Sequence, residues 1–199
     1  MATVNCWGSN VPVELAKGGT NATSMSTSTG IVKYDGTSLV TSSTAKIDSS
    51  NRYTNTAQPA FLAKVSANVA NVTGDGTNYH IIYDKVIFDQ ASNYNNSTGV
   101  FTAPITGKYQ INAQVNFVNV NPTLIVRGQS QLVATSRTMT NNYMNLSLVS
   151  NADNQVSFSY STLLDMSAND TVYVTMYAQG GSKDVYAGPE MYFSGYLIC

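Results

Sequence analysis

The sequence predicts an all-β sandwich, and three observations carry that prediction. Several segments alternate apolar and polar residues with the two-residue period of a half-buried strand. Short apolar runs recur every 8–15 residues or so, punctuated by Gly, Asn and Pro. No segment shows the 3.6-residue apolar period of a helix. Length and composition divide the 199 residues into an N-terminal arm, 1–58, and a C-terminal domain, 59–199.

The arm is rich in Ser, Thr, Gly and Asn, with Trp7, Tyr34 and Tyr53 as its only aromatics. Such a stretch cannot build a core alone and needs partners to bury what apolar surface it has. Within it, Ile31–Tyr34, the Asp35-Gly36 turn and Ser38–Thr41 read as a small hairpin.

From Pro59 the pattern tightens. Residues 60–69 alternate, with Phe61, Ala63, Val65, Ala67 and Val69 on one face. A Gly-Asp-Gly loop covers 73–78, and His80 to Phe88 forms the next strand. The organising stretch is Tyr94–Tyr109. Gly99 follows a cluster of turn formers and permits a positive φ. Val100-Phe101 is a short strand that Pro104 ends, because proline cannot donate to a ladder. After the Thr106-Gly107 turn, Tyr109, Ile111, Ala113, Val115 and Phe117 alternate with Gln110, Asn112, Gln114 and Asn116. Leu124–Val133 is read as a strand pair or one bent strand broken at Gly128. Met144–Val149 and Val156–Leu164 follow. Val172, Val174 and Met176 alternate with Thr171, Tyr173 and Thr175, and Met191–Ile198 closes the sheet.

The organising stretch carries a resemblance. Phe88, Tyr94, Asn95, Thr98, Gly99, Phe101, Ala103, Pro104, Gly107 and Tyr109 match the pattern of the globular heads of the complement C-one-q and tumour-necrosis-factor-like family. Leu164 with Asn169–Val174 resembles that family's turn into its penultimate strands, with Asn169 where Gly is usual. Phe193–Ile198 resembles its closing strand. The resemblance covers about residues 60–199 and implies a ten-stranded jelly roll of two sheets. It also implies a homotrimer in which side chains of one sheet and of the sheet edges meet near a three-fold axis. Thirteen tyrosines suit such an interface, each with an apolar body and a polar tip.

Val11–Asn21 resembles a recurring element of bacteriophage tail-fibre and other virion fibre proteins. Leu15, Lys17, Gly18, Gly19 and Thr20 are its attachment candidates.

Composition narrows the function. Charged residues make up 11% of the chain and the formal net charge is −1, so there is no clustered basic footprint for nucleic acid. No basic helix for a membrane surface and no apolar run of spanning length occurs. The start of the chain lacks the basic and apolar regions of a signal peptide. Cys6 and Cys199 lie at opposite ends and are expected to be free thiols.

No catalytic constellation emerges. His80 is the sole histidine, which leaves zinc short of ligands. The carboxylate pairs Asp84/Asp89 and Asp165/Asp170 are expected to be strand-end and loop residues, not the paired acids of a glycosidase. Asp75 and Asp184 are the only candidates for a family-type calcium site, and no cofactor or metal is assigned.

Recognition loops are better supported. Tyr94, Asn95 and Asn96, then Asn141, Asn142 and Tyr143, then Lys183, Asp184 and Tyr186 combine the Tyr, Asn and Gly chemistry of adaptable contact surfaces. The functional expectation is a virion structural protein, not an enzyme, exposed on a particle. Its arm would bind capsid or tail proteins, and its trimeric head would meet a host-surface glycan or protein. A purely architectural capsid-decoration protein and a cellular adhesin or innate-recognition protein are the alternatives.

Overall fold

The computed structural model describes residues 30–34, 37, 39–148 and 154–199. The chain divides into two compact units between Ala57 and Gln58. The first contains β1 (Gly30–Tyr34), β2 (Leu39–Ile47) and β3 (Tyr53–Asn55), paired antiparallel in that order. Tyr34 faces Leu39 in register, and residues 35, 36 and 38 of the expected turn lie outside the described residues. The third strand went unforeseen. It is set by Asp48, whose carboxylate accepts the amides of Ser50 (2.8 Å) and Arg52 (3.0 Å) and so closes the β2–β3 turn.

The second unit is the sandwich. Its strands are β4 (Ala60–Lys64), β5 (Val69–Thr73), β6 (Asn78–His80), β7 (Lys85–Gln90), β8 (Tyr94–Asn95), β9 (Val100–Thr102) and β10 (Gly107–Val118). They continue with β11 (Arg127–Ala134), β12 (Thr138–Met144), β13 (Val156–Met166), β14 (Thr171–Gln179), β15 (Val185–Ala187) and β16 (Tyr192–Leu197). The only helical turn among the described residues is a 3-10 turn at Leu146–Leu148.

In the larger sheet β10 is central. β13 pairs along one edge from Gly107↔Met166 to Phe117↔Val156. Its other edge is shared between β16 and β15. β4 and β7 follow β16 outward, and β5 pairs with β15. The smaller sheet runs β12-β11-β14-β9-β8, with β6 also on β14. This is the all-β jelly-roll sandwich.

The two inner faces meet as alternation requires. Tyr109, Ile111, Ala113, Val115 and Phe117 of β10 are fully buried, and so are Val172, Val174 and Met176 of β14. An aromatic cluster sits between them. Phe61, 1% exposed, stacks on Tyr94 (centroids 5.0 Å apart) and Phe101 (4.8 Å) and meets Phe193 edge-on (4.9 Å). Gly99 takes φ +73°, and a Cβ there would stand 2.5 Å from the Ile81 carbonyl oxygen.

Several boundaries differ from expectation. The 60–69 strand ends at Lys64, and Ala67 and Val69 are exposed. There Asp84 accepts the Ser66 amide (2.8 Å) and hydroxyl, which bends the chain away. His80–Phe88 splits into β6 and β7, because Ile81 and Tyr83 turn into the core between them. Residues 124–126 precede β11 rather than begin it, since the Leu124 and Ile125 amides fold back to the Asn121 carbonyl. Gly128 sits inside β11 without breaking it, and gives room to Leu146: a Cβ there would lie 2.6 Å from Leu146 Cδ1. The strand expected at Met144–Val149 ends at Met144 and gives way to the 3-10 turn.

Candidate functional site

The outward face of the larger sheet is mixed in character, with the exposed Lys108–Asp165 ion pair in the row beside Gln110 and Leu163 and Lys64 on the same face of β4. Register places Leu163, Gln110, Tyr196 and Ala60 in one row across four strands. Ser161, Asn112, Ser194, Leu62 and Phe88 form the next row. Tyr196 is 48% exposed, Leu163 54% and Phe88 49%. Between them Gln110 Nε2 donates to Asn112 Oδ1 (3.2 Å) and Ser161 Oγ (3.1 Å). Large apolar bodies set in a satisfied amide and hydroxyl network, with charge confined to the flanking rows, is the make-up of a protein interface with a polar rim. On the edge strand β7, Val86 and Ile87 are also exposed.

The three expected recognition loops separate. Tyr94 is mostly a core residue: it is 7% exposed, stacks on Phe61 and donates its hydroxyl to the Tyr83 carbonyl (2.9 Å). Burial pushes its phenol pKa well up. The signal was present in the aromatic spacing of the organising stretch, where an inward-pointing Tyr belongs to the core. Asn95 and Asn96 beside it are exposed.

Asn141, Asn142 and Tyr143 were expected in a loop and lie in β12, with Ser130 facing Asn141. The side chains of Asn141 and Asn142 lie outside the described residues. Tyr143 is 61% exposed, with the Arg127 guanidinium 3.7 Å from its ring centroid, a cation–π pair that the sequence did not announce. Lys183 is exposed in the loop before β15, and Asp184 accepts Asn119 Nδ2 on its carbonyl (2.8 Å). Tyr186 is half-buried within β15. Arg127 faces Gln179 at the end of β14, whereas Thr102, beside the Tyr94–Asn96 segment, faces Thr171 at its start. Eight residues of strand put these places about 27 Å apart. The attachment candidates Leu15, Lys17, Gly18, Gly19 and Thr20 lie outside the described residues.

Beside Asn95 and Asn96 lies an open cleft of about 580 Å³. The 92–96 turn, including Tyr94, lines it on the one hand, and Thr102, Ala103, Pro104 and Asn169 on the other. The 91–92 backbone is left-handed at two successive L residues, with φ +74° at Ala91 and +55° at Ser92. Asp89 clamps it, accepting the amides of Asn93 (3.1 Å) and Tyr94 (3.0 Å).

The other carboxylates singled out by sequence also have structural partners. Asp84 holds Ser66, and these hydrogen bonds outweigh the opposing effect of burial to keep its pKa below the usual carboxylate range. Asp165 accepts Lys108 (3.0 Å), with Arg137 at 3.7 Å; the Lys108 hydrogen bond holds its pKa low. Asp170 accepts the Ser167 amide (2.8 Å). Asp75 accepts the Thr77 amide (3.0 Å), and among the described residues no group of three or more His, Cys, Asp or Glu side chains converges as a metal site. Cys199 is an exposed free thiol.

His80 is half-buried, its ring stacked on Tyr173 at 4.3 Å. Its Nε2 is enclosed and makes no full hydrogen bond. Burial holds its pKa below the ordinary value, against a smaller opposing pull from the Gly99 backbone.

Comparison with known proteins gives a family match over the second unit. Residues 60–198 match the family model described as C1q domain. The globular domain of zebrafish complement 1qA protein is similar in structure, with TM-score 0.50 and 16% identity, covering 71% of this chain and 98% of that one. Murine APRIL at pH 5.0 gives TM-score 0.47 and 10% identity over 71% and 99%. Eiger TNF from S. frugiperda gives 0.45 and 13% over 71% and 92%. At these identities the likeness concerns the fold alone. No curated protein matches the sequence.

Proposed function

The chain belongs to the C1q domain family, and on that premise we propose that it is a non-enzymatic binding protein of a virus particle, most simply of a bacteriophage. Domains of this family typically form homotrimers and in general mediate recognition or binding. The observation that carries the reading is the outward face of the larger sheet, where Leu163, Tyr196 and Phe88 stand exposed over a neutral Gln110–Asn112–Ser161 network. Three copies related by a closed rotation bury that face against one another. Three identical heads per molecule, and many molecules per particle, then convert weak contacts into avidity.

The place on a virion rests on the arm. Val11–Asn21 resembles virion fibre elements, and the described residues of the first unit bury no apolar side chain: Ile31, Val32, Ile47 and Tyr53 are all exposed. A sheet of that kind gains stability by docking on another protein, which capsid or tail subunits would supply. The head then projects and engages a host-surface glycan or protein. Immunogold labelling of intact particles, with an antibody against the head, tests the location. Gold on the particle surface is expected; label confined to free protein in the lysate would remove the virion role. Staining of host cells by the purified protein separates a receptor-binding head from a purely architectural one.

A further inference from the structure

We infer that the cleft between the 92–96 turn and the Thr102–Pro104/Asn169 wall binds a neutral, hydroxyl-rich ligand, a unit of an uncharged oligosaccharide. This inference rests on the reading of the head as a binding domain and assigns that head its site and ligand class.

The cleft is lined by amides and hydroxyls: Asn93, Asn95, Asn96 and Asn169 with Ser92 and Thr102. No charged side chain lines it, so it offers no counter-ion to a sulfate, phosphate or carboxylate. The lining presents both halves of a hydrogen bond. Asn95 turns Oδ1 to the amides of Ser97 (2.9 Å) and Thr98 (3.2 Å), which leaves its Nδ2 to donate elsewhere. Asn96 does the reverse, giving Nδ2 to the Asp84 carbonyl (3.1 Å) and keeping Oδ1 as an acceptor. Sugar hydroxyls donate and accept at once, and neighbouring hydroxyls present both functions at the spacing of an amide. Asn93 Nδ2 is enclosed at the wall with no acceptor among the described residues.

The site is preorganised. Successive left-handed L residues at Ala91 and Ser92 are strained, while Asn169 opposite takes φ +72°, which asparagine tolerates. The Asp89 clamp and the Asn169 amide bond to the Ala103 carbonyl (2.8 Å) hold both walls in place before any ligand arrives. Tyr94 also borders the cleft, but it is only 7% exposed and its ring is stacked on Phe61, so recognition here proceeds mainly by hydrogen bonds, with Pro104 as an apolar edge.

The test uses the full-length chain beside its Asn95→Asp/Asn169→Gly variant. Asn95→Asp keeps the acceptor for Ser97 and Thr98 and removes the donors. Asn169→Gly keeps the positive φ and removes the amide. Both proteins are applied to an array of neutral glucan, mannan, galactan and N-acetylhexosamine oligomers printed beside sulfated and sialylated glycans. Binding to at least one neutral class is expected, at least tenfold weaker for the variant at an unchanged melting temperature. Equal binding by both proteins overturns the cleft assignment and leaves the head as a binding domain. So does preference for the charged glycans. If no glycan binds while the wild type still stains host cells, the ligand class is wrong. If neither glycans nor cells are bound, the underlying reading falls as well.

Discussion

Replacing Phe61 by Ala removes the ring on which the aromatic cluster is assembled. Phe61 is almost fully enclosed and touches three other rings, Tyr94, Phe101 and Phe193, at centroid separations of 4.8–5.0 Å. A buried Phe→Ala change costs about 3–5 kcal/mol. Three aromatic contacts, each worth about 0.5–1.5 kcal/mol beyond area, place this site towards the upper end. For a domain of about 140 residues, each kcal/mol moves the melting temperature by roughly 3 °C. Phe61→Ala is therefore expected to lower it by about 15 °C. The assay is thermal unfolding followed by circular dichroism at matched protein concentration, because association adds to apparent stability. Tyr143→Ala is the control: that ring is exposed and held only by a surface cation–π contact worth about 0.5–1 kcal/mol. A Phe61→Ala shift below 4 °C, or one matched by Tyr143→Ala, would refute the aromatic cluster as the centre of the core.

Tyr94→Phe keeps the stack and removes only the hydroxyl bonded to the Tyr83 carbonyl, so it is expected to cost about 1–2 kcal/mol in denaturant titration and to leave ligand binding unchanged. Gly195→Ala places a Cβ 2.6 Å from Ile111 Cδ1 and 2.9 Å from the Phe61 ring; overpacking of about 1–3 kcal/mol should appear as a lower denaturation midpoint. His80 gives a pH dependence. Burial holds its folded pKa below the ordinary histidine value of 6.5, so the unfolded chain takes up the proton more readily. Its contribution is whole above pH 6.5 and is lost as pH falls through the lower folded value. Melting temperatures measured from pH 7 to 5 should fall for the wild type and stay flatter for His80→Gln; parallel curves would remove His80 from the account.

The long alternating strands were the most legible part of the chain. β10 and β14 face a core on one side, so their period alone names Tyr109, Ile111, Phe117, Val172 and Val174 as buried. Short strands were harder, since three residues carry too little period: β3 and β6 are fixed by long-range pairing and by the Asp48 turn. The binding residues were read from composition, which does not encode direction. Tyr94 has the chemistry of a contact residue and points inward, whereas the amides next to it reach the surface. The Arg127–Tyr143 pair depends on the register between β11 and β12, which no local pattern discloses.

Sedimentation equilibrium of the full-length chain, beside its Leu163→Asp/Tyr196→Asp variant, bears most directly on the account. Two carboxylates on the outward face cannot be buried between copies without a large desolvation cost. The wild type should sediment as three copies of the 21.3 kDa chain, about 64 kDa, and the variant as a folded single chain. A wild type that stays monomeric at micromolar concentration, or a trimer indifferent to both carboxylates, would contradict assembly through that face.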